Sequence, residues 1–193
     1  MAAESPTVAV TRTGTDIDSL PKAMTEARDA GAAITLGIEA PLWLPMPDDV
    51  HRLSTGRPNE RDRSCFAPAG GYVAMLGLQQ LVFVLRRLPA AWSFTLDSTS
   101  WQETRESVLL WEAFVSGSAH ATDGDHVRDA ATAAVGFIEW LRGKREPTPV
   151  APDPDVPILS LAAVALSWTG RPTSLEQPTL VVRPDQPFEG PLA

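Results

Sequence analysis

The chain has 193 residues, 44% of them hydrophobic and 21% charged, with 24 acidic against 16 basic side chains and a formal net charge of −8. That length suits a single domain over residues 1–193, and the apolar content is enough to fill a core, which excludes a mainly disordered chain. The acidity argues against broad nucleic-acid binding, which needs many Lys and Arg contacts to phosphates, but it leaves room for a local basic patch assisted by metal ions.

The single cysteine, Cys65, excludes an intramolecular disulfide and a cysteine-rich zinc site, and it fits a reducing compartment. The first six residues lack a basic region followed by an apolar core, and no apolar run approaches the roughly 20 residues that a membrane span needs. A cytoplasmic protein without a membrane partner is expected.

Residues 7–13 alternate and carry Val8, Val10 and Thr11, the pattern of a strand. Asp18 or Ser19 then caps a helix with Pro21 in its first turn, and Leu20, Ala23, Met24 and Ala27 share one face. Gly31 ends that helix. Residues 33–38 form a short apolar run of the kind found in the middle of a sheet covered on both faces, so strand, helix and strand read as a βαβ unit.

Residues 41–71 read as a long loop carrying Arg52, Arg57, Arg61 and Arg63. A second helix follows over residues 72–88, with Leu78, Leu81, Val82 and Leu85 inward. Residues 92–96 and 107–115 read as strands joined by a polar connection, and residues 125–142 as a helix with Val127, Ala131, Ala134, Ile138 and Leu141 as its stripe. A proline-rich linker over residues 143–157 leads to an apolar helix over residues 158–168 and a last edge strand over residues 179–182. The pattern predicts an α/β fold with a mixed β-sheet and helices on both faces.

Glu39 closes the second strand, and ligands of open α/β sheets bind outside the carboxyl ends of strands. It is therefore either a functional carboxylate or one paired with an Arg or a helix N-terminus. His120, Asp123, Asp125, His126 and Asp129 form a second constellation. Asp125 and Asp129, four apart on a helix, share a face and call for a cation or proton, although helix capping is the simpler explanation of Asp123 and Asp125 and leaves Asp129 as the functional candidate. Glu112 lies in the strand over residues 107–115, facing either solvent or the sheet end that holds Glu39. His51 and His120 read as loop histidines.

The run Ile34-Thr-Leu-Gly-Ile-Glu39-Ala-Pro-Leu42, the Arg-rich stretch Arg61-Asp-Arg63-Ser-Cys65, the strand Leu110-Trp-Glu112-Ala-Phe114 and the helix start His126-Val-Arg-Asp129-Ala-Ala occur in that order. In this order they resemble a family of uncharacterised bacterial proteins with a ribonuclease H-like fold, often described as predicted nucleases. The resemblance implies a magnesium- or manganese-dependent hydrolase acting on phosphodiesters. It assigns Glu39 and Asp129 to the metal site, with Glu112 as a third catalytic member; Asp125, which shares a helix face with Asp129, is a further candidate ligand by its spacing. Arg57, Arg61 and Arg63 would hold phosphate, and the partner would be a nucleic acid or nucleotide. The chain departs from the family at its start, where a leading hairpin and its Asp are missing: residues 7–13 supply one strand without an acid. That departure favours the alternative of a non-catalytic binding or scaffold protein that has lost the metal site. Sheet edges exposed by the missing hairpin would favour a homo-oligomer.

Overall fold

A computed structural model describes residues 16–54, 56, 57, 60, 68–115, 117–121, 125–144, 150–171 and 173–189. The strand expected at residues 7–13 lies outside them, as do Arg61, Arg63, Cys65 and Asp123. Along the chain come α1 (Leu20–Asp29), β1 (Thr35–Ile38), β2 (Trp43–Pro45), α2 (Pro68–Arg87), β3 (Phe94–Thr95) and α3 (Ser98–Thr104). Then follow β4 (Val108–Ala113), α4 (His126–Leu141), β5 (Ile158–Ser160), α5 (Leu161–Trp168) and β6 (Leu180–Val182).

All six residues of β4 are buried, because neighbours cover both of its edges and both of its faces. β1 pairs with it in parallel from Thr35 opposite Leu109 to Ile38 opposite Glu112. On the other edge β3 pairs with the start of β4 and β6 with its end, both again parallel. The expected mixed sheet is thus a four-stranded sheet in which every pairing is parallel, beside a separate antiparallel pair, β2 with β5. Among the described residues the middle position belongs to β4, not to β1 as its apolar run suggests.

The pleat of β4 sorts its side chains between two cores. Val108 and Leu110 pack with Met24 of α1, Leu81 and Leu85 of α2 and Leu166 of α5. Leu109, Trp111 and Ala113 pack on the opposite face with Trp101 of α3 and Phe137 of α4. Helices therefore cover both faces, as an apolar parallel sheet requires. Burying leucines such as Leu81 and Leu85, both fully enclosed, stabilises the fold by about 2 kcal/mol each.

Several elements differ from expectation, each for a local reason. α1 and α4 keep their expected spans to within a residue or two, with Gly31 in the left-handed conformation just past α1. α2 begins four residues early, at Pro68, where a proline fits a first helical turn. The long loop contains β2, which proline-flanked residues form by pairing with distant β5. Residues 158–160 belong to a strand, and the helix starts after Ser160, whose hydroxyl accepts the Ala163 N–H. The polar connection at residues 97–106 holds α3, capped by the Asp97 carboxylate. Val150, inside the expected linker, is buried in a small core with Trp43 and Ile158. No helix among the described residues is long and apolar enough to cross a membrane.

Candidate metal centre

The chain leaves β1 through a tight passage that fixes Glu39. A Cβ on Gly37 would lie 2.4 Å from the Trp111 ring, whose Nε1–H donates to Thr35 Oγ1 at 3.3 Å. A Cβ on Gly77 of α2 would lie 2.2 Å from Ala40 Cβ. Only glycine permits these two approaches, and they hold the backbone on either side of Glu39. Glu39 is thereby held, with its side chain partly open to solvent, at the C-terminal end of the parallel sheet.

His120 arrives from the segment after β4, held by the buried Ala119 and Ala121 on either side of it. Asp129 comes from the first turn of α4 and is 3% exposed. One oxygen of its carboxylate accepts the Ala121 N–H at 2.8 Å, and the other lies 3.2 Å from His120 Nδ1. One ligand atom from each of Glu39, His120 and Asp129 lies within 4.8 Å of the others. Oxygen ligands at about 2.1 Å from a small divalent cation sit ~3–4 Å from one another, so small side-chain adjustments bring this trio around one ion.

Partial burial raises the pKa of Glu39 above its ordinary value, the Asp129 charge adds to that shift, and His120 and His126 oppose it. A carboxylate whose ionisation is disfavoured by a neighbouring one is stabilised by a cation placed between them. Oxygen donors with one imidazole suit manganese or zinc as well as magnesium.

The other expected site residues lie elsewhere. Glu112 faces the opposite side of the sheet, where its Oε2 accepts the Leu42 N–H at 2.9 Å and an N–H of Arg57 at 2.6 Å. The second Glu112 oxygen also accepts from Arg57, and Arg57 further donates to both oxygens of Glu60. Its side chain is 0% exposed and lies over the Trp43 ring, so its N–H groups are committed to carboxylates and do not face a phosphate. Burial pushes the Glu112 carboxyl up, which the Arg57 charge and the Leu42 N–H only partly offset. Burial pulls the Arg57 guanidinium pKa down, but the hydrogen bonds and charges of Glu112 and Glu60 outweigh that and raise it above its ordinary value.

Asp125 caps α4, accepting from the N–H groups of Val127 and Arg128, and is not one of the clustered ligands. The structure thus brings Glu39 and Asp129 together, separates Glu112 from them, and adds His120. The sequence places His120 in one constellation with Asp129, nine residues on, but as a loop histidine with no paired group it does not stand out there as a ligand.

A cleft of about 650 Å³ runs from Glu39 along β1, between that strand and α4, to Arg105. Comparison of the chain with protein-family models, with curated proteins and with solved structures gives no match.

Proposed function

We propose that this chain binds a divalent cation through Glu39, His120 and Asp129 and uses it to hydrolyse a phosphodiester. The observation that carries the proposal is the convergence of three ligating groups, from three separate segments, at the carboxyl end of a parallel sheet. The likeness of these segments to a family of predicted nucleases with a ribonuclease H-like fold supports the reaction class. A bound cation would polarise a phosphoryl oxygen and lower the pKa of a water ligand. Glu39 and His120 are the exposed members, and Glu39, the exposed carboxylate, would orient that water. In the hydrolysis the water oxygen forms a new bond to phosphorus, the ester P–O bond breaks, and the leaving oxygen takes up a proton. The imidazole favours Mn²⁺ over Mg²⁺.

A second reading has its own observation. The bond from the Ala121 N–H to Asp129 ties the segment after β4 to α4 without any ion, as a scaffold protein would use it. Cleavage of bis(4-nitrophenyl) phosphate with Mn²⁺ or Mg²⁺ separates the two. The catalytic reading expects metal-dependent product release that Glu39→Ala and Asp129→Ala each abolish. Mn²⁺ binding without turnover would favour a binding protein, and no response to either ion would leave the structural role of Asp129 as the explanation.

A further inference from the structure

The cleft beside the metal centre has features that cation binding alone does not require. Aromatic rings line its inner wall, each only 3–5% exposed: Trp111 and Phe137 stack with centroids 4.7 Å apart, and Trp101 meets Phe137 edge-on at 6.3 Å. Small side chains of α4, Ala130, Ala133 and Ala134, also line the cleft. Glu39 lines one end and Arg105 also lines the cleft. Thr35 pairs with Leu109, so Arg105 lies towards the start of the parallel strands and Glu39 just beyond the end of β1. Four residue steps of extended chain lead from Thr35 to Glu39, a run of ~13 Å.

Arg105 caps α3 with φ +55°, a left-handed conformation that suits glycine or asparagine far better than arginine. Non-glycine residues held in this way concentrate at ligand sites. Its guanidinium lies 5.8 Å from the Trp101 ring centroid. Among the described residues it forms no salt bridge, although Glu103 and Glu106 flank it in the sequence. An exposed cation thus borders an aromatic-lined cleft that reaches Glu39 of the candidate cation centre.

We infer that this cleft binds a small organic anion with a flat apolar body, its acidic group on Arg105 and its far end directed at Glu39, His120 and Asp129. Only the role of the far end rests on the metal-dependent reading; the aromatic wall and Arg105 stand without it.

Two fluorescent probes that share one body test this: 1-anilinonaphthalene-8-sulfonate, an anion, and N-phenyl-1-naphthylamine, its neutral counterpart. Each is titrated into the full chain in EDTA and again with Mn²⁺, while free Mn²⁺ is counted separately by its paramagnetic resonance signal. The expected result is one saturable site for the anion, weakened about tenfold by Arg105→Gln, the loss expected for a hydrogen bond to a charged group. The neutral probe should be indifferent to that substitution. Ala134→Phe, which fills the cleft, should abolish both, and Ala130→Leu serves the same purpose if the larger residue disturbs the far-ultraviolet spectrum. Unchanged anion binding in Arg105→Gln, or in the filled cleft, overturns the inference. Such a failure alongside normal Mn²⁺ binding leaves the metal reading intact. Probe binding of the expected pattern without Mn²⁺ binding removes the metal reading alone.

Discussion

Glu112 and Arg57 show how one side chain can read as chemistry and fold as architecture. The pleat that turns Trp111 towards α4 turns Glu112 to the opposite face, where two carboxylates share one guanidinium inside the protein. Removing Glu112 leaves Arg57 paired with Glu60 alone and takes the acceptor from the buried Leu42 N–H, and an unsatisfied buried polar group costs about 1–3 kcal/mol. Glu112→Ala is therefore expected to lower urea-unfolding stability by about 2–3 kcal/mol while leaving the Mn²⁺ response of the centre unchanged. A variant as stable as the parent would contradict this assignment. Glu39 belongs to a different balance, because its folded-state pKa lies above the ordinary carboxylate value. A raised carboxylate binds its proton more tightly in the native state, so its stabilising contribution is present below the ordinary value and is lost as pH rises through the raised one. The melting temperature of the metal-free protein should fall across that window. Glu39→Gln should reduce the slope, and saturating Mn²⁺ should reverse part of the fall; a slope identical in parent and variant would remove Glu39 as a cause.

β1 and α4 set the geometry of the centre, and Gly37 is where their packing is tightest. A methyl group there meets the Trp111 indole at 2.4 Å, so Gly37→Ala should cost about 1–3 kcal/mol by overpacking. It should also weaken Mn²⁺ binding, since Glu39 lies two residues on; thermal melts with and without the ion measure both effects. Elements held by their own periodicity or caps were the legible ones: α2, α4 with its Asp125 cap, and β4, buried along its whole length. Glu39 and Asp129 could be chosen as site residues because one ends an apolar strand and the other lies in the first turn of a capped helix. Elements that depend on distant partners were not legible. β2 has three residues beside prolines and becomes a strand only against β5, and α3 is a short polar run with one buried tryptophan. The Arg57–Glu112 pair joins residues 55 apart, a distance that no local pattern spans. His120 becomes informative only once the chain beyond β4 folds back onto α4.

At the scale of the whole molecule, the parallel sheet gathers its strand ends on one edge, and the two neighbouring strands β1 and β4 lead directly into Glu39 and towards His120. α4, packed on the face that Trp111 and Phe137 share, returns Asp129 to the same edge. A cation bound there joins three segments that are otherwise linked mainly through the core, and it should stabilise the native state as a whole. Binding at 100 times Kd adds about 2.7 kcal/mol. The most direct test is pulsed electron paramagnetic resonance of the full chain with one equivalent of Mn²⁺. The expected result is a single bound ion with nitrogen modulation from one imidazole; His120→Ala should remove that modulation, and Asp129→Ala should remove the bound ion. Mn²⁺ that stays free in the parent protein, or that binds with no nitrogen ligand, would contradict the proposed centre.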